Sequence, residues 1–411
     1  MVAHTQRATP YLENYNDEVE FWKIINECSN KPAGAASQIF EGLLLKGLAN
    51  QDDVDVTACS FRLVPSYPNH RKIFWRGYKQ KLIGMNSFIF LPFINLPIFK
   101  QIGFSLAIVP EVIKWLYKNR KEQKAIVFTC INVPMVFSVI FIRLFYHCPV
   151  VAIVPDLPSM VMNYSKLAGI KNLLKYPYVW LSRLVEPRFD AYVFLTEPMN
   201  KVVNREDRPY IVVEGIADLE DSITYHNSNI ASKKGIMYAG ALYKQFGIEM
   251  LIKGFMKTHN EDIELWLFGA GDMEKEIIQY ARSDFRIKYF GMRPRKEVIE
   301  YELNAKLLVN PRPSDKQFAE YSFPSKTLEC MATGTPLLTT RLPGIPSEYF
   351  DYTFVLENET EEGIASKLES ILFIACGQRD EIGQKAKKFV MENKNPDVQA
   401  SKIIALIKEI I

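Results

Sequence analysis

A short segment near residue 325 places an ammonium group and a carboxylate in one turn of a predicted helix. Pro324 is predicted just inside the start of this helix and Gly334 just past its end, as is usual at helix termini. A helix start presents backbone N–H groups and the positive end of the helix dipole, which attract anions such as phosphate. Lys326 lies in the first turn, and Glu329 follows three residues later on a neighbouring face. This turn therefore offers a cation for phosphate and a carboxylate for hydroxyl groups.

Strands alternate with helices around this segment, a pattern that predicts parallel sheets with crossover helices. The predicted strands are Glu20–Asn26, Val54–Ser60, Ala125–Cys130, Val150–Val154, Ala191–Thr196, Tyr210–Val213, Gly235–Gly240, Ile263–Phe268, Ile287–Phe290, Leu307–Asn310 and Leu337–Thr340. The predicted helices are Gln38–Leu48, Ser105–Asn119, Pro134–Phe145, Leu173–Val185, Ile248–Thr258, Asp272–Arg282, Lys296–Ala305, the helix after Pro324, and two in 385–411 around Asn395-Pro396.

The chain of 411 residues is too long for one ordinary core, so two domains are expected. We predict an N-terminal domain over 1–222, a polar linker over 223–234 and a second domain over 235–395. Two open parallel sheets in series are expected to bind a ligand in the cleft between them, outside the carboxyl ends of their strands.

Composition excludes several classes of protein. Hydrophobic residues at 48% and charged residues at 24% are globular values, and disorder is expected only in the first dozen or so residues. A net charge of +3 gives no concentrated basic surface, so no nucleic acid partner is predicted. The six cysteines form no CxxC pair and the five histidines no metal-binding pattern, which favours reduced thiols, a cytoplasmic location and no metal.

Two apolar stretches bear on membrane contact. Leu82–Phe99 and Ala125–Ile142 contain no charged residue, but prolines interrupt both, which argues against transmembrane helices. The N-terminus lacks the apolar core of a secretory signal. For the region over 82–110, two interpretations stay open: an apolar loop and helix that lie on a membrane surface, or a loop packed on the core.

The ordered motifs of the second half resemble the donor domain of GT-B glycosyltransferases, in particular the retaining enzymes of family four. The resemblance rests on the loop at 238–248, the glycine pair in 267–272, the strand end at 289–292 and the segment Ser322-Phe-Pro-Ser-Lys326. The last of these is typical of a sub-type found among bacterial surface-polysaccharide enzymes. The resemblance implies an α/β fold with two Rossmann-like domains that face each other across a cleft. It also implies a C-terminal helix, about 396–411, that crosses back to the first domain.

The resemblance assigns donor-binding roles to residues of the second half. Glu329 matches the second glutamate of the E-x7-E motif of the family, which holds the ribose hydroxyls of the nucleotide. The first glutamate corresponds to Tyr321, so the sugar is bound by this tyrosine, by the adjacent Glu320 or by backbone groups. Ser325 stands beside Lys326 in the same motif. The glycines that match the family pattern are Gly34, Gly215, Gly240, Gly269 and Gly271, each of which can also be explained as a turn residue.

The cations of the family's first donor-domain loop are replaced here. Ala241 and Phe246 stand where the family has an arginine and a lysine. We expect Lys244, Arg312 and Lys326 to bind the diphosphate instead. Fixed cations lower the barrier by stabilising the charge that grows on the leaving diphosphate. The structural alternatives are an ion pair for Arg312 and a solvated position for the two lysines.

Asp156, after a strand of the first half, is a candidate to orient or deprotonate the acceptor hydroxyl, or else it caps the following turn. The resemblance implies no metal, no other cofactor and no covalent nucleophile. It indicates transfer of a hexose-type sugar from a nucleotide diphosphate sugar to a glycan acceptor, carried on a polyprenyl lipid at the inner face of the plasma membrane. The competing hypotheses are a non-catalytic partner subunit or chaperone of the same fold, and a nucleotide-sugar epimerase.

Overall fold

The computed structural model describes residues 2–3, 35–62, 64, 66–80, 87–129, 131–157, 170–218, 234–315 and 317–411. It divides the chain into two compact units. Unit 1 comprises Met1–Ile216 and Pro396–Ile411, and unit 2 comprises Ala217–Asn395. Gly34, the predicted strand Glu20–Asn26 and most of the predicted linker lie outside the described residues.

Unit 1 is built on an eight-stranded sheet with a separate two-stranded ribbon. Its strands are β1 (Val2–Ala3), β2 (Thr57–Ser60), β3 (Phe74–Trp75), β4 (Tyr78–Gln80), β5 (Ser87–Phe90), β6 (Phe93–Ile94), β7 (Ile126–Phe128), β8 (Val150–Val154), β9 (Ala191–Phe194) and β10 (Tyr210–Val212). Its helices are α1 (Ala35–Ala49), α2 (Pro97–Lys118), α3 (Val133–Arg143), α4 (Ile170–Val185), α5 (Pro198–Val203) and, at the C-terminus of the chain, α12 (Pro396–Ile410).

The strand order of the large sheet is β10-β9-β8-β7-β1-β2-β5-β4. All neighbours are parallel except β4 and β5. All five residues of β8 are buried, as expected for a strand covered by helices on both faces. The expectation of disorder in the first dozen residues is wrong for Val2–Ala3, which pair with β2 on one side and β7 on the other.

The apolar stretch after residue 82 folds differently from the prediction. Phe88 and Phe90 of β5 are buried, so this part of the stretch packs on the core. Helix α2 begins at Pro97 rather than at Ser105 and continues through Pro110. Proline is well tolerated in the first turn of a helix, where its missing N–H would have no partner. Among the described residues, no helix is both long and apolar enough to cross a bilayer.

Unit 2 is built on a six-stranded sheet. Its strands are β11 (Gly235–Ala239), β12 (Glu264–Phe268), β13 (Ile287–Gly291), β14 (Leu307–Asn310), β15 (Leu337–Thr340) and β16 (Phe354–Leu356). Its helices are α6 (Ile248–Met256), α7 (Glu274–Ser283), α8 (Arg295–Asn304), α9 (Ser325–Thr333), α10 (Glu361–Phe373) and α11 (Cys376–Asn393). Short 3-10 turns occupy Lys244–Phe246, Gln317–Tyr321 and Ser347–Tyr352.

The sheet of unit 2 has the strand order β13-β12-β11-β14-β15-β16, and every pair is parallel. Within the unit this is the order 3-2-1-4-5-6 of a Rossmann-like domain, in which ligands bind where the order reverses. That switch point lies between β11 and β14. The predicted α/β fold with two Rossmann-like domains is confirmed.

The last helix of the chain packs within unit 1. The Asn50 carboxamide donates a hydrogen bond to Asp397 Oδ1 at 2.9 Å, and Gln399 Nε2 donates to the carbonyl of Gly215 at 3.0 Å. Helix α12 crosses α1 closely at Gly47, where a Cβ atom would lie 2.1 Å from the carbonyl oxygen of Pro396. These contacts fasten α12 both to α1 and to the segment after β10.

Candidate functional site

Two loops meet at the switch point of unit 2. The loop after β11 contains the turn Lys244–Phe246, and the loop after β14 contains Arg312. The Arg312 guanidinium carbon lies 4.6 Å from the centre of the Phe246 ring, a distance typical of a cation–π contact. Phe246 therefore supports a cation that comes from the neighbouring loop.

Helix α9 carries the predicted residues Ser325, Lys326 and Glu329. Its first residue is Ser325, and Pro324 is the N-cap residue, so the prediction that Pro324 lies inside the helix is wrong by one position. The side chain of the N-cap residue makes no capping hydrogen bond, and the start of any α-helix presents its positive end to anions. Gly334 ends the helix with a φ of 79°, a left-handed conformation that glycine adopts without strain. Strand β15 then begins at Leu337, as predicted.

Lys326 and Glu329, which are both partly exposed, form a triad with the buried Glu302. The Lys326 ammonium lies 2.7 Å from Glu329 Oε2 and 3.1 Å from Glu302 Oε1. The side chain of Glu302 is 2% exposed, whereas that of Lys326 is 34% exposed. The predicted cation and carboxylate are thus brought together and bound to each other. A second carboxylate, from the last turn of α8, completes the arrangement.

The triad shifts the pKa of each member. Burial raises the pKa of Glu302, and the Lys326 ammonium opposes this only in part. Burial also tends to raise the pKa of Glu329, but the charges of Lys326 and Arg295 outweigh it and lower that pKa. For Lys326, burial alone would lower the pKa, but the two carboxylates more than offset it, and the pKa is raised. Lys326 therefore keeps its positive charge throughout the neutral range.

Tyr238, near the end of β11, interacts electrostatically with both Arg312 and Lys326. Burial raises the pKa of Tyr238 to about 12, while the charges of Arg312 and Lys326 both act to lower it. The Tyr238 hydroxyl donates a hydrogen bond to the carbonyl of Ala241 at 2.9 Å. Both predicted cations are therefore close enough to influence one buried phenol. Arg312 lies just after β14, and Lys326 and Glu329 lie on α9, the helix that connects β14 to β15.

Lys244 is more peripheral than these residues. Its ammonium lies 2.7 Å from Glu249 Oε2, and its side chain is 72% exposed. Its backbone N–H donates to Asp272 Oδ1 at 3.0 Å, which connects the loop after β11 with the loop after β12. The lysine is thus on the predicted loop, with its charge paired to the first turn of α6.

The predicted glycines of unit 2 bring these loops together. Gly269 has a φ of 126°, and a Cβ atom there would lie 1.8 Å from the carbonyl oxygen of Gly240. At Gly271 a Cβ atom would lie 2.1 Å from the carbonyl oxygen of Leu242. Both positions require glycine because the backbones after β11 and β12 touch. These contacts support the interpretation of Gly269 and Gly271 as turn residues. They also bring the loops after β11 and β12 into contact beside the switch point.

The remaining predicted residues are placed as follows. Tyr321 is half-buried and Glu320 exposed, in the 3-10 turn that precedes α9. In unit 1, Asp156 is exposed directly after β8, and Gly215 is buried where its carbonyl holds α12. The position of Asp156 at a strand end is as predicted, and its role in acceptor binding stays a prediction.

Sequence reasoning missed Glu302. A glutamate in the segment Tyr301-Glu-Leu-Asn304 resembles an ordinary solvated helix residue. The sequence could have indicated that Glu302 is buried, because it lies three residues after Ile299. Residues three apart share a helix face, and Ile299 is buried. The backbone of Glu302 is also fixed, since the Thr335 hydroxyl donates to its carbonyl at 2.8 Å.

Within the described ranges, no group of three or more His, Cys, Asp or Glu residues is placed to hold a metal ion. The cations described above are instead lysine and arginine side chains. The prediction that the reaction needs no metal stays a prediction.

Comparison with known proteins identifies the class of this domain. Residues 233–373 match the family model described as "Glycosyl transferases group 1", a range that contains the switch point and the whole triad. No curated protein matches the chain in sequence.

Solved structures match almost the whole chain in fold. Sucrose-phosphate synthase from Thermosynechococcus elongatus has a TM-score of 0.65 at 13% identity, over 100% of this chain and 98% of that one. HepE from Anabaena, in complex with UDP, has a TM-score of 0.59 at 13% identity, over 99% of each chain. A trehalose-6-phosphate protein from E. coli, bound with UDP-2-fluoro glucose, has a TM-score of 0.64 at 10% identity, over 100% of each chain. Residues 233–373 are therefore a group 1 glycosyltransferase domain, in a chain that has the GT-B fold.

Proposed function

We propose that this chain is a retaining, metal-independent glycosyltransferase that moves a hexose-type sugar from a nucleotide diphosphate sugar to a glycan acceptor. The observation that carries the proposal is the placement of Arg312, Lys326 and Glu329 at the switch point of a group 1 glycosyltransferase domain. The solved structures of HepE and of the E. coli protein contain UDP or a UDP sugar, which supports a nucleotide diphosphate sugar as donor. The family-four character and the surface-polysaccharide sub-type rest on the sequence motif before Glu329.

The chemistry follows from the charges at the site. When the bond between sugar and diphosphate breaks, negative charge grows on the diphosphate, and cations held in place stabilise that charge without reorganisation. Arg312 is held over Phe246, and Lys326 is oriented by two carboxylates. The start of α9 adds backbone N–H groups. Glu329, with its lowered pKa, is an ionised acceptor for the ribose hydroxyls.

Glu302 has a positioning role in this scheme. The buried carboxylate of Glu302 lies 3.1 Å from the Lys326 ammonium, and this contact holds the ammonium in place when Glu329 binds the ribose instead. A charge that is fixed before the reaction costs no reorganisation in the transition state. The buried glutamate thus keeps the cation aimed at the diphosphate.

We further propose that the acceptor is a glycan carried on a polyprenyl lipid in bacterial exopolysaccharide or capsule synthesis. This places the protein in the cytoplasm, at the inner face of the plasma membrane. Acceptor recognition is assigned to unit 1, where Asp156 follows β8 as a candidate base. The match to a glycosyltransferase domain favours this enzyme over a non-catalytic partner subunit.

A donor screen tests the proposal. The purified chain is incubated with uridine, guanosine and thymidine diphosphate sugars, and release of the nucleotide diphosphate is followed together with nucleotide affinity. We expect binding and slow hydrolysis with one class of donor, unaffected by a metal chelator. The absence of both turnover and nucleotide binding would contradict the enzyme, and binding without turnover on any donor or acceptor would favour the partner subunit.

Two substitutions test the site itself. Glu329→Ala removes a charged hydrogen-bond acceptor, and such bonds contribute about 1.5–3 kcal/mol, so nucleotide affinity is expected to fall at least about ten-fold. Lys326→Ala is expected to weaken binding of the nucleotide diphosphate more than that of the nucleoside. Glu297→Ala, on the exposed side of α8, is the matched control. Unchanged affinity in both site variants would show that the site lies elsewhere.

A further inference from the structure

Helix α2 has two apolar faces. Phe104, Ile108 and Val112 are buried against the core of unit 1. A second set at helical spacing is exposed: Phe99 (60%), Ile102 (51%), Leu106 (69%), Ile113 (37%) and Tyr117 (64%). A surface helix of a globular protein normally has one apolar face. The second face therefore needs an explanation of its own.

Helices α3 and α4 continue this exposed apolar surface. Phe137 and Phe141 on α3 are 52% and 61% exposed, and Phe145 just after it is 71% exposed. The rings of Phe141 and Phe145 contact each other edge to face with their centres 5.6 Å apart. On α4, Trp180 is 62% exposed, in line with exposed Tyr176 and Leu184. We call the surface formed by these side chains of α2, α3 and α4 the aromatic face.

The aromatic face surrounds a groove between the three helices. The groove has a volume of about 1080 Å³, and its lining includes Ile113, Phe137, Phe141 and Leu181. Among the described residues, none of its lining side chains is charged. Exposed apolar patches of this extent on soluble proteins usually mark a binding surface, and a groove of this size and character suits a hydrocarbon chain.

Charge distinguishes among the partners that could cover this face. The last two turns of α2 and the residues after it carry four exposed basic side chains, Lys114, Lys118, Arg120 and Lys121, and one exposed acid, Glu122. Basic side chains beside an apolar helix face are attracted to anionic lipid headgroups. Tryptophan and tyrosine are the residues enriched at the membrane–water interface.

We infer that the aromatic face docks unit 1 on the surface of an anionic lipid bilayer, with apolar side chains of α2, α3 and α4 inserted among the lipid chains. The inference deepens the proposed function, on which it rests only for the choice of the cytoplasmic leaflet. Of the region over 82–110, β5 is buried, and the exposed apolar surface of α2 continues onto α3 and α4.

Vesicle sedimentation of the full-length protein tests this inference. The vesicles contain phosphatidylcholine alone or with one third phosphatidylglycerol. We expect binding to the anionic vesicles, weaker binding to neutral ones, and a decrease with added salt because surface attraction is screened. Failure to bind anionic vesicles, or equal binding to both kinds, would overturn the inference.

Substitutions on the face supply the residue-level test. Phe141→Ser and Trp180→Ser are each expected to weaken vesicle binding at least about ten-fold, and Lys118→Ala about five-fold. Phe373→Ser is the control, since Phe373 is 93% exposed but lies at the end of α10 in unit 2. Equal loss of binding in the control would contradict the assignment of the face.

Two parallel measurements separate this inference from its alternatives. Nucleotide affinity without lipid is expected to be unchanged in the face variants, so failure of the donor chemistry and failure of membrane docking give different results. Sedimentation velocity without vesicles tests a second copy of the chain as the partner. The parent protein could form a dimer that the Phe141→Ser substitution dissociates, and could fail to bind vesicles. These two results together would assign the aromatic face to self-association and overturn the inference.

Discussion

Lys326→Met removes the ammonium that two carboxylates share, and its cost can be worked from the structure. The Glu302 side chain is 2% exposed and loses a partner at 3.1 Å. Removal of one partner of a buried ion pair typically costs about 3–5 kcal/mol. The Glu302 carboxyl can instead take up a proton. The cost of this protonation at pH 7 is about 1.36 kcal/mol for each pH unit above the unfolded pKa of about 4.3, which gives about 3.7 kcal/mol in total. This protonation cost is the upper limit of the stability that the variant can lose through Glu302.

Arg295, whose charge also lowers the pKa of Glu302, remains in the variant. We therefore expect Lys326→Met to lower the free energy of unfolding by about 2–3 kcal/mol at pH 7. At pH 5.5 the same upper limit falls to about 1.6 kcal/mol. The sign follows from linkage: a carboxyl whose folded pKa lies above its unfolded pKa makes the protein less stable as pH rises, because the unfolded chain releases the proton.

Urea unfolding followed by circular dichroism at pH 7 and pH 5.5 is the assay. The double variant Lys326→Met/Glu302→Gln removes both charges and is expected to recover most of the lost stability at pH 7. Lys385→Met is the matched control, because Lys385 and Glu381 form an exposed pair, and its unfolding midpoint should not change. A loss of stability that is the same at both pH values, or no recovery in the double variant, would refute the reasoning.

Three further predictions concern other parts of the chain. Burial lowers the pKa of Lys100 to about 8. The free energy of unfolding should therefore rise between about pH 8 and pH 10, because the folded protein loses this buried charge before the unfolded chain does. The Lys100→Met variant should have a higher urea midpoint than the parent protein at pH 7 and should lack this rise. Gly269→Ala should unfold at lower urea and lose nucleotide binding because of its positive φ and the backbone contact at 1.8 Å, whereas Gly377→Ala, with open space around it, should not. Phe246→Leu removes the ring under Arg312 and should weaken nucleotide diphosphate binding by about two- to thirty-fold, as measured by calorimetry, while Phe246→Tyr should retain it.

Each of these three has an outcome that contradicts it. For Lys100, the variant would keep the same rise in stability above pH 8 as the parent protein. For Gly269, the alanine variant would bind nucleotide with the affinity of the Gly377 control. For Phe246, leucine and tyrosine would have equal effects, which would mean that the ring does not support Arg312.

The local sequence determined most of the elements of unit 2. Leu307–Asn310 and Leu337–Thr340 have the predicted bounds, because continuous apolar runs between turn residues specify buried parallel strands. Gly334 ended its helix as predicted, since a left-handed cap is a property of the backbone at that one residue. The order of alternating strands and helices was sufficient to predict two open parallel sheets in series.

Unit 1 was less predictable from its sequence. A two-residue strand, Val2–Ala3, has no periodicity to detect, and its place in the sheet depends wholly on its neighbours β2 and β7. The start of α2 at Pro97 was missed for a similar reason, because the apolar residues before Ser105 fit a loop, a buried strand or a helix equally well.

The sequence by itself determined which residue types stand at the switch point, but only the tertiary structure decided their partners. Lys326 and Glu329 were identified from their spacing, since residues three apart meet on a helix surface. Glu302 and Phe246 come from other elements and approach through the packing of α8 and of the loop after β11. Likewise the apolar residues of α2 were visible in the sequence, but which of them are buried depends on which face α3 and β6 cover. Contacts between distant segments depend on the packing of whole elements, which local patterns do not encode.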